Sequence, residues 1–214
     1  MSYCRVALAD PVHRAYHDEE YGFPVADDHV LFERLSLEIF QAGLSWRLVL
    51  MKRRHLAAAF AGFDIERVAA FDDAAIERLM ADPTIIRNRR KIGAIIENAR
   101  ILAGLARLGT RGERGDPASA SASDASGRID VSGDRGGSTF AAWLAAHHPR
   151  EEKEWLALFR RTFRFTGPEV VREFLVSTGY LAGAHDDDCP IQARILAAQP
   201  AWAIRTAQAA ASVD

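Results

Sequence analysis

An all-helical fold is what this sequence predicts, and three features predict it: apolar residues at helical spacing, aspartates where helices would begin, and no alternating β-branched run of useful length. The clearest stripe is Ile92, Ile95, Ile96, Ala99, Leu102, Ala103 and Ala106, a long helix running toward a stop signal at Gly109. Earlier helices are expected to start near Asp27 or Asp28, Asp64 and Asp72, where a carboxylate accepts from the first free backbone amides. Regular structure returns with Phe140, Trp143 and Leu144, then Trp155, Leu156 and Phe159. The alanine-rich tail from Pro190 to about Ala211 reads as helix with a break at Pro200.

A chain of 214 residues with 49% hydrophobic content can bury a sizeable core and falls in the range of one domain, or one two-lobed domain. From Thr110 to Ser138 almost no large apolar residues occur, so 110–138 reads as a flexible surface insertion unable to offset its ordering entropy. No run approaches a membrane span and the N-terminus lacks the apolar centre of a signal peptide, so a cytoplasmic location and no membrane partner are expected. A formal net charge of -2 gives no global pull toward nucleic acid; any such contact has to come from a local basic face.

Glu38 is the first residue whose position asks for chemistry. With Leu31, Phe32, Leu35 and Ile39 it shares the inward face of one predicted helix. A carboxylate there is either satisfied by backbone amides or an arginine, or it faces a polar pocket. Next comes Gln41-Ala42-Gly43-Leu44-Ser45-Trp46, in which Gly43 permits a sharp turn and Trp46 offers a flat face, either as core or as a stacking platform for a flat cation. A second constellation, Thr162 to Glu169, reads as the hairpin between two helices. Thr166 and Glu169 have capping-box spacing, and Gly167 lets a phosphate approach the amides at the helix start. Arg160, Arg161 and Arg164 lie near it, and Arg87, Arg89, Arg90 and Lys91 form another basic run; each is either a phosphate contact or a solvated face. The third is the quartet Cys4, His17, His185 and Cys189. It suits a closed tetrahedral zinc site joining the two ends of the chain, against the alternatives of a disulfide or unrelated thiols and histidines.

Taken in order, Cys4, Tyr16-His17-Asp18-Glu19-Glu20-Tyr21-Gly22, Leu37-Glu38, Gln41 to Trp46, Ile85 to Arg89, Lys91-Ile92 and His185-x-x-x-Cys189 resemble the signature of the 3-methyladenine DNA glycosylase I family, over roughly the whole chain apart from the insertion. The resemblance implies a helix-hairpin-helix DNA glycosylase fold with structural zinc on Cys4, His17, His185 and Cys189. It implies a base pocket of Glu38, Tyr16 and Trp46, with Tyr21 and Leu44 beside it, and a DNA-gripping hairpin of Arg164, Phe165, Thr166 and Gly167.

The implied activity is hydrolysis of the N-glycosyl bond of alkylated adenine in duplex DNA, with free 3-methyladenine as product and a monomer expected. A base methylated at N3 is cationic while attached to the sugar and is already a good leaving group, so recognition supplies much of the selectivity. In this reading Glu38 binds the flipped base, Tyr16 adds a hydrogen bond, Trp46 stacks and Leu44 fills the duplex gap. Asp186, Asp187 and Asp188 fall inside the zinc clip and read as loop carboxylates. No cysteine remains for an iron-sulfur cluster and no nucleophilic lysine is evident, so a monofunctional glycosylase is expected. Two other classes stay open: a noncatalytic DNA-binding or damage-sensing module, and a metal-dependent hydrolase with an open zinc position. A glycosylase preferring another alkylated base is a further alternative.

Overall fold

Aspartates do start the helices where the sequence places them. In the computed structural model, which describes residues 2–113 and 139–204, the Asp27 carboxylate accepts from His29 and Val30 amides at the head of α3 (Asp28–Gln41). Asp64 does the same for α5 (Ile65–Ala69) and Asp72 for α6 (Asp73–Ala81). Preceding these are α1 (Tyr3–Ala9) and α2 (Pro11–Glu19), and between them lies α4 (Trp46–Ala59). The chain continues with α7 (Arg89–Glu113), α8 (Phe140–His147), α9 (Glu152–Thr162), α10 (Pro168–Ser177) and α11 (Pro190–Ala197). No strand occurs among the described residues, and none of their helices is long and apolar enough to cross a membrane.

Helix α3 is the axis of the molecule, in contact with α4, α7, α8 and α10. Residues 34–40 are all buried, which is why its sequence is apolar on nearly every side rather than in one stripe. Around it Ile92, Ile95 and Ile96 of α7, Phe140 and Trp143 of α8, Phe159 and Phe174 close one large core, with the Phe140 and Phe174 rings stacked at 5.7 Å. A smaller aromatic cluster of Tyr16, Tyr21 and Val176, with Tyr3 and Trp46 packed against it, sits beside that core. Asp28 ties the return of the chain to the axis: its carboxylate accepts from the Phe140 and Ala141 amides at the start of α8.

Several expectations need correction. The long helix does not stop at Gly109 but runs on to Glu113, so the first residues of the expected insertion are helical; 114–138 lie outside the described residues. A glycine ends a helix only where the chain must turn, and nothing turns it here. Thr166 and Glu169 form no capping box. The N-cap of α10 is Gly167, followed by Pro168, and the Thr166 hydroxyl donates inward to the Phe159 and Phe163 carbonyls. The capping box of this region is instead Glu151 with Glu154, at α9. In the tail, α11 ends at Ala197 and residues 201–204 are helical beyond Pro200; 205–214 lie outside the described residues.

Asn98, which the sequence reading passed over, fixes the hairpin. Fully buried on α7, it accepts from the Arg164 amide at 2.7 Å and donates to the Arg164 carbonyl at 3.1 Å, holding a loop in which Phe165 has φ +61°. Removing that amide takes the partner from both the Arg164 amide and its carbonyl. Asn98→Ala is expected to lower the unfolding free energy by about 1–3 kcal/mol in urea titration, the loss of two hydrogen bonds from a fully buried side chain; an unchanged midpoint would show that the hairpin holds itself.

Candidate active site

Between the core and the aromatic cluster lies a cavity of about 450 Å³, walled by Tyr3, Tyr16, Tyr21 and Trp46, with Glu38, Glu169 and Glu173 among its polar lining. The predicted periodicity puts Glu38 there. It is 5% exposed on α3, and no donor among the described residues reaches its carboxyl at hydrogen-bonding distance. Arg34, one turn earlier and also buried, is engaged elsewhere. Its Nη2 donates to Glu20, its guanidinium lies 4.7 Å from the centre of the Tyr16 ring, and its Nε and Nη1 have no partner. Glu20 is in turn bound by Arg53, which also pairs with Glu33, so the ion cluster closes beneath the cavity and not across it. The carboxyl is therefore not sealed by an arginine.

Other walls are positioned by short-range geometry. Gly43, with φ +79°, makes the turn that brings Trp46 back at the head of α4, where Ser45 caps the helix. The Trp46 ring meets Tyr16 edge to face at 5.1 Å. The Tyr16 hydroxyl is buried without a partner and burial pushes its pKa up to about 12, so it stays a neutral donor. Leu44 is exposed on the outer side of the turn and does not line the cavity. Lys91 departs from the expected phosphate-contacting run. It is buried and its ammonium donates to the Phe40 and Ala42 carbonyls, completing the C-terminal end of α3 just before the Gly43 turn. Arg90 remains exposed, over the Phe165 ring at 5.3 Å, and Arg89 pairs with Glu77.

The N-terminal helices and the 185–189 segment meet behind the Tyr21 wall. Ligand-capable atoms of Cys4, His17, His185 and Cys189 all lie within 4.8 Å of one another. Cys189 Sγ is 3.4 Å from His185 Nδ1 and 3.7 Å from His17 Nε2, and Cys4 Sγ is 3.7 Å from His185 Nδ1. Those three spacings match edges of a tetrahedron with bonds of roughly 2.0–2.3 Å, as zinc makes with imidazole and thiolate. The ring nitrogens facing away are also occupied: His17 Nδ1 donates to Asp18 at 2.7 Å and His185 Nε2 to the Tyr21 carbonyl at 2.8 Å, the outer contacts that orient metal-binding imidazoles. Burial lowers the His185 pKa, which favours the neutral ligand form. The residues fit a closed metal site. Asp186 belongs to its loop, with its amide on Cys4 Sγ and its carboxylate accepting from Ser2.

The model of the methyladenine glycosylase family matches residues 6–111. DNA-3-methyladenine glycosylase 1 of Escherichia coli (strain K12) is 50% identical over 100 residues, 47% of this chain and 54% of that one, so the match spans about half the length of this curated relative. Among solved structures, the Y16F form of 3-methyladenine DNA glycosylase I (TAG) in complex with 3-methyladenine is 31% identical with a TM-score of 0.63, covering 89% of this chain and 97% of that chain. The E38Q mutant of 3-methyladenine DNA glycosylase I from Staphylococcus aureus is likewise 31% identical, with a TM-score of 0.62 and the same coverage. This chain belongs to the methyladenine glycosylase family. The all-helical fold read from the sequence is the fold of those family members.

Within this methyladenine glycosylase family member, Glu173 and Tyr3 are cavity residues that no sequence pattern marks, and the charge of Glu173 bears on Glu38. Burial first, then Glu173, pushes the Glu38 pKa from 4.5 up to about 8, while Arg34 offsets this only in part. Between the ordinary carboxylate value and about 8 the folded protein keeps a proton that the unfolded chain has lost, so rising pH across that window works against stability. Thermal unfolding should show wild type losing stability relative to Glu38→Gln as pH rises from about 5 to 8, with the two converging at the acid end. A difference that stays constant across the window would mean that Glu38 titrates normally.

Proposed function

We propose that this chain is a monofunctional DNA glycosylase that flips alkylated adenine, 3-methyladenine above all, out of duplex DNA and hydrolyses its N-glycosyl bond, releasing the free base. The observation that carries this is a buried carboxyl without a hydrogen-bonding partner, facing an aromatic-walled cavity, in a member of the methyladenine glycosylase family. A relative of this fold is known in complex with 3-methyladenine. An electron-poor flat cation gains most from such walls, and the exocyclic amine of adenine gives the Glu38 carboxyl a donor to accept from. The unpartnered Tyr16 hydroxyl supplies a second hydrogen bond, Trp46 stacks, Tyr21 closes the far wall, and exposed Leu44 beside the turn fills the gap left in the duplex.

The hairpin is assigned to the DNA backbone, through the amides around Phe165 and Gly167 and the exposed Arg164 side chain, with the Thr166 hydroxyl committed to the interior. The chain is read as one glycosylase domain of two helical lobes, acting as a monomer in the cytoplasm. Cys4, His17, His185 and Cys189 would hold zinc; when bound it supplies cohesion between the chain ends, since four protein ligands leave no open position for a hydrolytic water.

Alkylated duplex DNA incubated with the protein is expected to release 3-methyladenine, identified chromatographically. Glu38→Gln should slow that release roughly 10- to 100-fold, the loss of a hydrogen bond to a charged group. DNA binding with no released base would leave only a noncatalytic damage-binding module. For the metal, elemental analysis should find about one zinc per chain, and Cys189→Ser should lose it and melt several degrees lower. A protein that keeps its melting temperature after exhaustive chelation would remove zinc from the account.

A further inference from the structure

We propose that Glu173 is a second, specificity-determining carboxylate of the pocket, reading the positive charge of the alkylated base while Glu38 reads its hydrogen-bonding edge. The proposal rests on the reading of this cavity as the base pocket. Glu173 lies on α10, which packs against α3, and lines the same cavity as Glu38. Its two carboxylate oxygens are held from opposite sides: Oε2 accepts from the Tyr21 hydroxyl at 3.0 Å, and Oε1 from Arg172 Nη1 at 2.8 Å. With its side chain one-third exposed and a guanidinium attached, it sits at the cavity as an anion of fixed position. Glu38 is buried with no protein donor within reach, and the neighbouring anion makes a second ionised carboxylate in the same space unfavourable.

The groups facing Glu38 bear this division out element by element. Arg34 on α3 lies beneath it but is bound to Glu20; Tyr3 on α1, Tyr16 on α2 and Tyr21 after it are phenols held neutral by burial; α4 contributes the uncharged Trp46; α10 contributes Glu169 and Glu173. An empty pocket thus carries its negative charge on α10 and a protonated acid on α3. A protonated carboxyl both donates and accepts, which matches an adenine edge where an amine stands beside a ring nitrogen. A cationic purine entering between them gains the Coulombic attraction of Glu173, and a neutral purine of the same shape does not.

Two probes of nearly equal shape separate these roles: 3,9-dimethyladeninium, a permanent cation that mimics the base still attached to sugar, and 3-methyladenine, neutral at neutral pH. Affinities for the full chain are measured by tryptophan fluorescence or calorimetry. Glu173→Gln keeps the size and the acceptor for Tyr21, and is expected to weaken the cation about tenfold, the equivalent of one pKa unit of charge interaction, with less than a twofold change for the neutral base. The pH profile of cation binding should also shift toward the ordinary carboxylate range as Glu38 loses its charged neighbour. Tyr21→Phe, which removes one of the two holds on Glu173, should produce a smaller loss of the same selectivity. Equal weakening of both probes, or no weakening of either, overturns the role of Glu173 and leaves the pocket intact. Wild-type protein that binds neither probe overturns the pocket reading together with it.

Discussion

A carboxyl buried on the wall of a cavity, with no protein donor to bind, is the constraint around which this molecule is arranged. Ionised carboxylates in an apolar interior are destabilising by several kcal/mol, and the usual remedies are an arginine, backbone amides or neutralisation. Arg34 would be the natural remedy, buried one turn away on the same helix, yet Glu20 draws its guanidinium off and Tyr16 covers its face. Glu38 is left to the third remedy, holding its proton to about pH 8. That arrangement tolerates a cavity, because a packed side chain in place of the empty space would cover the one polar face the carboxyl has. Large aromatic residues can border such a space without filling it, since rigid rings with few rotamers do not collapse inward.

The chain ends are bound to this cavity through one residue. Tyr21 gives its carbonyl to His185 in the cysteine-histidine cluster and its hydroxyl to Glu173 on the cavity wall. Gly22 follows at φ +88°, where a Cβ would stand 2.6 Å from Ala184 Cβ, so only glycine lets the loop run that close to the C-terminal segment. Its amide donates to the Ser177 carbonyl at the end of α10. Cohesion between the N-terminal and C-terminal segments is therefore linked to the position of Glu173 by main-chain and side-chain hydrogen bonds of two adjacent residues, Tyr21 and Gly22. Loosening the cluster would loosen the wall before it reached the core.

Local features were legible in the sequence, and long-range ones were not. Asp27, Asp64 and Asp72 announce their helices because a cap needs only its own next two or three residues. Glu38 was legible because the periodicity of Leu31, Phe32 and Leu35 carries it inward whatever lies opposite. Thr166 and Glu169 had the right spacing for a cap, but Pro168 starts the helix one residue too late for it and the hydroxyl finds carbonyls of α9 instead. Lys91 looked like one of four basic surface residues; only the register of α7 against α3 shows it reaching two orphan carbonyls. Glu173 and Asn98 were invisible for the same reason. Their partners, Tyr21 and Arg164, lie 152 and 66 positions away along the chain, and no local pattern marks a residue whose meaning is assigned by tertiary contact.

The near-zero net charge conceals a sorted one. Carboxylates of α3 and α10 line the cavity, while exposed arginines at positions 87, 90, 160, 161 and 164 stand on α7, α9 and the turns beside them. Lys91 joins the two regions physically: its ammonium donates to Ala42 at the cavity lining and lies 5.9 Å from the centre of the Phe165 ring in the hairpin. On the proposed reading this separation lets one molecule accept both signs of charge from its substrate. A polyanionic backbone is attracted to the arginines and repelled by the cavity, whereas a single cationic base experiences the reverse, so the field itself favours the geometry in which the backbone stays outside and the base turns inward. An uncharged base would feel only the aromatic walls, and the energy for leaving the duplex stack would have to come from stacking alone.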